Sequence, residues 1–207
     1  VNVTLALNYA AGGLEPKGYH WTNVGLHAAV ALVLFGLVRR TLLLPTSSPD
    51  LASAALPISA IATIIWAVHP LLTESVVCVV QRNEVIVGLF YLLTLYGLVR
   101  SVTSRYPYIW NTVAVTACAL GMASKEVMVT APVLALLYDR TFLAGSFGQA
   151  WKERRWVYAA LVATWGILVL LISQHHQRAG TVGFCLGVSL WDYLVAQARA
   201  VATYLKL

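Results

Sequence analysis

The sequence predicts an all-α, polytopic membrane protein: a bundle of about six transmembrane helices followed by a C-terminal amphipathic helix. Two observations carry this expectation. Of 207 residues, 59% are hydrophobic and only 11% charged, against roughly a quarter charged in a soluble domain. The apolar residues also gather into runs that approach or exceed the roughly 17 to 20 residues needed to cross a hydrocarbon core. Mean hydropathy is +0.75.

The runs are His20–Val38, Ala52–Val68, Val85–Val99, Ile109–Ala123, Val127–Leu143 and Trp156–Ser173. Arg39 and Arg40 close the first, and Pro45, Ser47, Ser48 and Pro49 punctuate the loop after it. The second ends at His69-Pro70, where proline stops a helix and Thr73 can start the next. Gln81-Arg82-Asn83-Glu84 interrupts what would otherwise be a continuous apolar stretch from Val76 to Val99. The fourth and fifth runs form either one long crossing or two joined at Ser124-Lys125-Glu126. A hairpin keeps the basic loops on one side and is preferred, with Pro132 a tolerated kink in its return helix. In the last segment, Leu190–Leu207, Asp192, Arg199 and Lys206 recur every seven residues and give a helix with one polar stripe.

Alternating crossings divide the loops into two sets. One holds Arg39, Arg40, Arg100, Arg105, Arg140, Lys152, Arg154 and Arg155; the other holds Lys17, Arg82, Lys125 and Arg178. The richer set is expected in the cytoplasm. The opposite face then carries the segment before Tyr19, the stretch His69–Glu84, the Ser124–Glu126 turn and the segment Gln174–Gly187, while the cytoplasmic loops look ordinary.

Net charge is +6, but the bases sit in short loops with no aromatic-interleaved patch, which argues against nucleic acid. Cys78, Cys118 and Cys185 are odd in number and widely spaced, and they read as small core residues. No HExxH, paired CxxC, Asp-rich loop, GxGxxG or P-loop is present, so neither a metal nor a cofactor is expected. His175-His176 reads as part of an outer loop. Val1 in place of Met, no preceding signal peptide and an uncapped Tyr204-Leu205-Lys206-Leu207 create the expectation that both ends are cut.

Charged groups at the edge of apolar helices need a partner or a task. On a helix restarting at Thr73, Glu74, Cys78, Gln81 and Arg82 would share a face; an interfacial turn with Glu74 favoured by the helix dipole is the simpler alternative. Arg82 can hold a phosphate by a bidentate contact, or snorkel outward with Glu84. Lys125 offers a second phosphate contact with Glu126 orienting it, or the two form a plain interfacial ion pair. His20, Asn23 and His27 share one face of the first helix.

These clusters together resemble the membrane domain of the transmembrane and tetratricopeptide-repeat O-mannosyltransferases and their bacterial relatives. The resemblance lies in Leu7-Asn8-Tyr9, Gly12-Gly13, Gly18-Tyr19-His20, Asn23 and His27, then His69-Pro70 with Thr73-Glu74-Ser75-Val76, Arg82-Asn83-Glu84, Ser124-Lys125-Glu126 and Tyr138-Asp139. It implies a GT-C-like glycosyltransferase that moves a mannose-like hexose from a polyprenyl-phosphate donor to a protein or other hydroxyl. Such an enzyme works on the extracytoplasmic face of the endoplasmic reticulum or bacterial inner membrane. Residues 1–207 would be one incomplete domain, with the first helix, the first outer loop and its acidic catalytic residue upstream of Val1 and a repeat domain after Leu207.

A leaving phosphate calls for cations at the membrane boundary. His69, Arg82, Lys125 and Glu126 are the expected donor-phosphate residues, Glu74 an assisting catalytic carboxylate, and His20, Asn23 and Glu84 substrate-site residues. The donor is already activated and requires no metal. A transporter, or a non-catalytic membrane anchor for a repeat domain, remains the alternative; the gathering of polar groups at one face, rather than through the midplane, speaks against the transporter.

Overall fold

A computed structural model describes residues 2–174, 191 and 195–199. Among these the structure is helical, with no strand. The chain divides after residue 168 into two units, and the helical bundle belongs to the first. Most of the helix expected over Leu190–Leu207, and His175-His176 and Cys185, lie outside the described residues.

A short helix α1 (Asn2–Gly12) ends in a turn at Gly13, whose φ of +60° suits a residue without Cβ. Helix α2 (Pro16–Leu42) starts with proline in its first turn, where the missing N–H costs nothing, and ends with Arg39 and Arg40 on the favourable side of its dipole. A single turn α3 (Pro49–Ser53), capped by Ser48, leads into α4 (Ala55–Ala67). Then come α5 (Thr73–Val77), α6 (Arg82–Thr103), α7 (Pro107–Met122) and α8 (Ala131–Tyr138), the last continuing as a π-helical turn at Asp139–Leu143. Helix α9 (Phe147–Ala163), capped by Ser146, kinks at Arg154, and α10 (Trp165–Gln174) comes after it.

Every apolar run of the sequence therefore contains helix. Among the described residues, three stretches, Pro16–Leu42, Val79–Thr103 and Phe147–Leu171, are long and apolar enough to cross a membrane, and a fourth arises if Ala55–Ala67 and Pro70–Val77, bent by 56°, form one broken span. This is fewer than the six expected, because α7 and α8 are short and α4 gains length only with the bent segment after it. The turn at Ser124–Glu126 separates α7 from α8, and α8 packs on α6 and α9. Pro132 sits in the first turn of α8 and kinks nothing.

Helix α6 is the centre of the bundle: half of its apolar window is buried, against 17% for α2 and for Phe147–Leu171. It packs on α2 and α7, and Gly97 permits the second contact, since a Cβ there would lie 2.8 Å from the carbonyl oxygen of Trp110. The core joins Leu37, Leu95, Leu98, Val99, Cys118, Met122, Met128 and Leu161. Leu32, Ile61, Ile64 and Ile65 are exposed, the arrangement for helices whose outer faces meet lipid.

Candidate functional site

Helix α5 does not run on to Arg82. It stops at Val77, Cys78 takes an extended conformation, and a 3-10 turn at Val79–Gln81 precedes α6. The face expected to join Glu74, Cys78, Gln81 and Arg82 is broken: Cys78 points outward and is no core residue, whereas Arg82 turns wholly inward. Only Gln81 still meets Glu74, with Nε2 3.4 Å from Oε1. The break frees the Val76 carbonyl from the helix ladder, and Asn23 Nδ2 donates to it at 3.1 Å.

Arg82 is 0% exposed. Its Nε donates to Asn23 Oδ1 at 2.7 Å, one terminal nitrogen to Asn8 Oδ1 at 2.6 Å and the Thr4 carbonyl at 3.2 Å, and the other to the Tyr19 carbonyl at 3.1 Å. The Tyr19 ring lies 5.7 Å from the guanidinium carbon. A planar fork of donors so engaged has no pair of N–H groups to offer a phosphate. The expected bidentate phosphate contact is therefore not available in this geometry; Arg82 ties α1 and the start of α2 to α6. The snorkelling alternative fails too, because four neutral acceptors draw the side chain inward. Asn8, Tyr19, Asn23 and Arg82 come from four separate sequence motifs and meet in this one network.

The open cation is Lys125. Its Nζ pairs with Glu84 Oε1 in the first turn of α6, and the two side chains are 31% and 42% exposed. Glu84, not Glu126, orients it; Glu126 points outward. His69 caps the turn at Pro70–Leu72: its Nδ1 accepts from Leu71 N at 3.2 Å. That contact requires an unprotonated Nδ1, so in the neutral ring Nε2 carries the hydrogen and can donate. His27 Nε2 lies 3.0 Å from the Ala67 carbonyl, and the ring stacks on Trp66 at 5.1 Å. A carbonyl only accepts, so Nε2 carries a proton, and in the neutral ring Nδ1 keeps its lone pair. The shared face of His20, Asn23 and His27 is divided: Asn23 is buried, His27 half-buried and His20 exposed.

Between α2, α4, α5 and α6 lies a cavity of about 90 Å³, with His27, Trp66, Ser75, Glu84 and Gly88 in its wall. The sequence offered no signal for Trp66 or Gly88, and singled out Ser75 only as part of Thr73-Glu74-Ser75-Val76; three helices bring them together. At the far end of α8, Asp139 is fully buried; Arg154 holds both its carboxylate oxygens at 2.8 and 2.9 Å and the Tyr158 hydroxyl donates to it. The loops at that end are thus not ordinary. Among the described residues, no three His, Cys, Asp or Glu side chains gather in a way that could hold a metal.

The chain is 30% identical over 147 residues, 70% of its length, to protein O-mannosyl-transferase TMTC3 of Homo sapiens. It is 36% identical over 140 residues, 66% of its length, to protein O-mannosyl-transferase Tmtc1 of Drosophila melanogaster. This chain belongs to the TMTC family. Similarity to protein O-mannosyl-transferase tmtc2 of Xenopus laevis extends further along it, 28% over 81% of the chain. The chain spans 15 to 20% of the length of these TMTC relatives. No family model matches it, and no solved structure does.

Proposed function

We propose that this chain is part of the membrane domain of a glycosyltransferase. It would move a hexose, mannose in keeping with its relatives' names, from a polyprenyl-phosphate donor to a hydroxyl on a protein acceptor. The domain sits in the membrane of the endoplasmic reticulum or in a bacterial inner membrane, with its site on the extracytoplasmic face. The observation that carries this reading within the TMTC family is Lys125, a half-exposed ammonium held by Glu84 at the end of a helix pair and beside an open cavity.

In the reaction, the acceptor oxygen bonds to the anomeric carbon, the bond from that carbon to the phosphate oxygen breaks, and the lipid phosphate leaves with the electron pair. The hydroxyl proton passes to a carboxylate. Glu84 uses one oxygen on Lys125, so two of the three ammonium hydrogens remain for phosphate oxygens, where negative charge grows in the transition state. His69 Nε2–H is the second donor. Arg82 acts indirectly, by fixing α1 and α2. Glu74 assists as an exposed carboxylate; Glu126 and His20 are exposed, and Asn23 acts only by holding Arg82.

The test is sugar transfer by the full-length protein in membranes, from polyprenyl-phosphate mannose. Lys125→Ala should lower turnover about 100-fold, the scale of losing one transition-state charge contact, with insertion unchanged. Wild-type turnover in that variant would remove Lys125 from the site; absence of transfer by the intact protein would favour a non-catalytic anchor.

A further inference from the structure

Four glycines on the packed helices can be compared by what a side chain would meet. A Cβ at Gly36 would come within 2.9 Å of the Tyr96 ring, at Gly97 within 2.8 Å of backbone, and at Gly121 within 2.7 Å of Met128 Sδ. Close packing accounts for all three. Gly88, half-buried in the first half of α6, would meet nothing within 4 Å, as would Gly18 and Gly25 of α2, but of these three only Gly88 lines the cavity. Glycine weakens a helix interior relative to alanine, and no protein atom demands it there. The free space in front of Gly88 belongs to the cavity walled by His27, Trp66, Ser75 and Glu84.

Those walls have a definite chemistry. Val30, Leu72, Val85 and Trp66 supply an apolar surface; the His27 ring covers one face of Trp66, so only the opposite face of the indole is left for the C–H face of a sugar ring. Glu84 Oε2 is free of the ion pair with Lys125, His27 Nδ1 keeps a lone pair, and Ser75 can donate or accept. This is one apolar wall with acceptors around it, the complement of a pyranose with its C–H face and its rim of hydroxyl donors. At about 90 Å³ the cavity exceeds what a single water needs but is too small for a whole glycolipid headgroup, so it takes the edge of the ring. Glu84 belongs to both places: Oε1 pairs with Lys125, and the residue lines the cavity.

We infer that the cavity in front of Gly88 is the subsite for the hexose ring of the donor, read by Glu84, His27 and Ser75 against Trp66. The inference deepens the glycosyltransferase reading and rests on it. Gly88 is the specificity-determining position, because its missing side chain leaves room for the ring.

The test uses the full-length protein and measures both binding and transfer of polyprenyl-phosphate mannose, with unglycosylated polyprenyl phosphate as the control ligand. Gly88→Leu extends a side chain from a Cβ that meets no protein atom within 4 Å. It should unfold no earlier than the wild type, weaken binding of the mannosylated lipid at least 10-fold and leave binding of the bare lipid phosphate within 2-fold. Ser75→Ala should change KM for the mannosylated donor more than kcat. Equal loss for both lipids in Gly88→Leu, or none for either, would overturn the subsite. So would a wild type that binds the two lipids equally. A wild type that prefers the mannosylated lipid, loses that preference in Gly88→Leu and yet transfers no sugar would leave the subsite standing and sink the transferase reading.

Discussion

Arg82 Nε and Asn23 Oδ1 lie 2.7 Å apart, and neither side chain retains any contact with solvent. The pair joins residues 59 positions apart, and the same Asn23 amide donates to the Val76 carbonyl at the break between α5 and α6. A single amide thus satisfies a buried cation and an orphaned backbone acceptor.

Replacing Asn23 with leucine removes both contacts at once and leaves a buried guanidinium N–H unpaired. The expected cost is about 2 to 4 kcal/mol, read as a lowered unfolding midpoint of the detergent-solubilised protein. Arg82→Lys should fail to restore α1, because an ammonium cannot reach Asn8, Asn23 and the Tyr19 carbonyl together. Faster proteolysis within residues 2–12 reports that loss, and wild-type protection in Arg82→Lys would refute the pin.

Lys125 and Glu84 are both partly open to solvent, so their mutual attraction is small. A double-mutant cycle with Lys125→Ala and Glu84→Gln should give a stability coupling of about 1 kcal/mol or less. The transfer assay should respond far more strongly to Lys125→Ala than this stability term allows. A coupling of several kcal/mol would mark the pair as structural.

Asp139 is buried against Arg154 and Tyr158, and removal of one partner strands a charge in a dry site. Arg154→Met alone should destabilise by about 3 to 5 kcal/mol, and Asp139→Asn in the same chain should recover much of it. Thermal unfolding of the two variants checks the order; a double variant no better than the single would rule out the pair as the cause.

Two glycines of α6 should respond oppositely to alanine. Gly97→Ala drives a methyl into the Trp110 carbonyl and Ala114 and should cost about 1 to 3 kcal/mol. Gly88→Ala meets nothing and should gain about 0.5 to 1 kcal/mol from helix propensity. Equal midpoints for the two variants would show that α6 and α7 are not in close contact at Gly97.

Composition and run length were enough to give an all-helical chain with membrane-spanning helices and the helix within each apolar run, though not α1 or the number of crossings, because burial in lipid is set by local apolarity along the chain. The short turn at Ser124–Glu126 and the stop at His69-Pro70 were legible for the same reason: prolines and charges act on their own segment. What the individual polar residues do was not legible. Arg82 reads equally well as a phosphate ligand or a snorkelling base, and only its neighbours Asn8, Tyr19 and Asn23, drawn from α1 and α2, make it a buried pin. Lys125 stands next to Glu126 in sequence yet pairs with Glu84, 41 positions away, because the α7–α8 turn folds over the start of α6. Asp139 lay inside the apolar run Val127–Leu143 with no partner in sight until α9 carried Arg154 and Tyr158 across it. The space at Gly88 belongs to no residue at all. The sequence determined where the chain is helix and which segments meet lipid; tertiary structure alone decided which polar atoms are spent on one another and which remain for a ligand, because hydrogen-bond partners are set by distance in space.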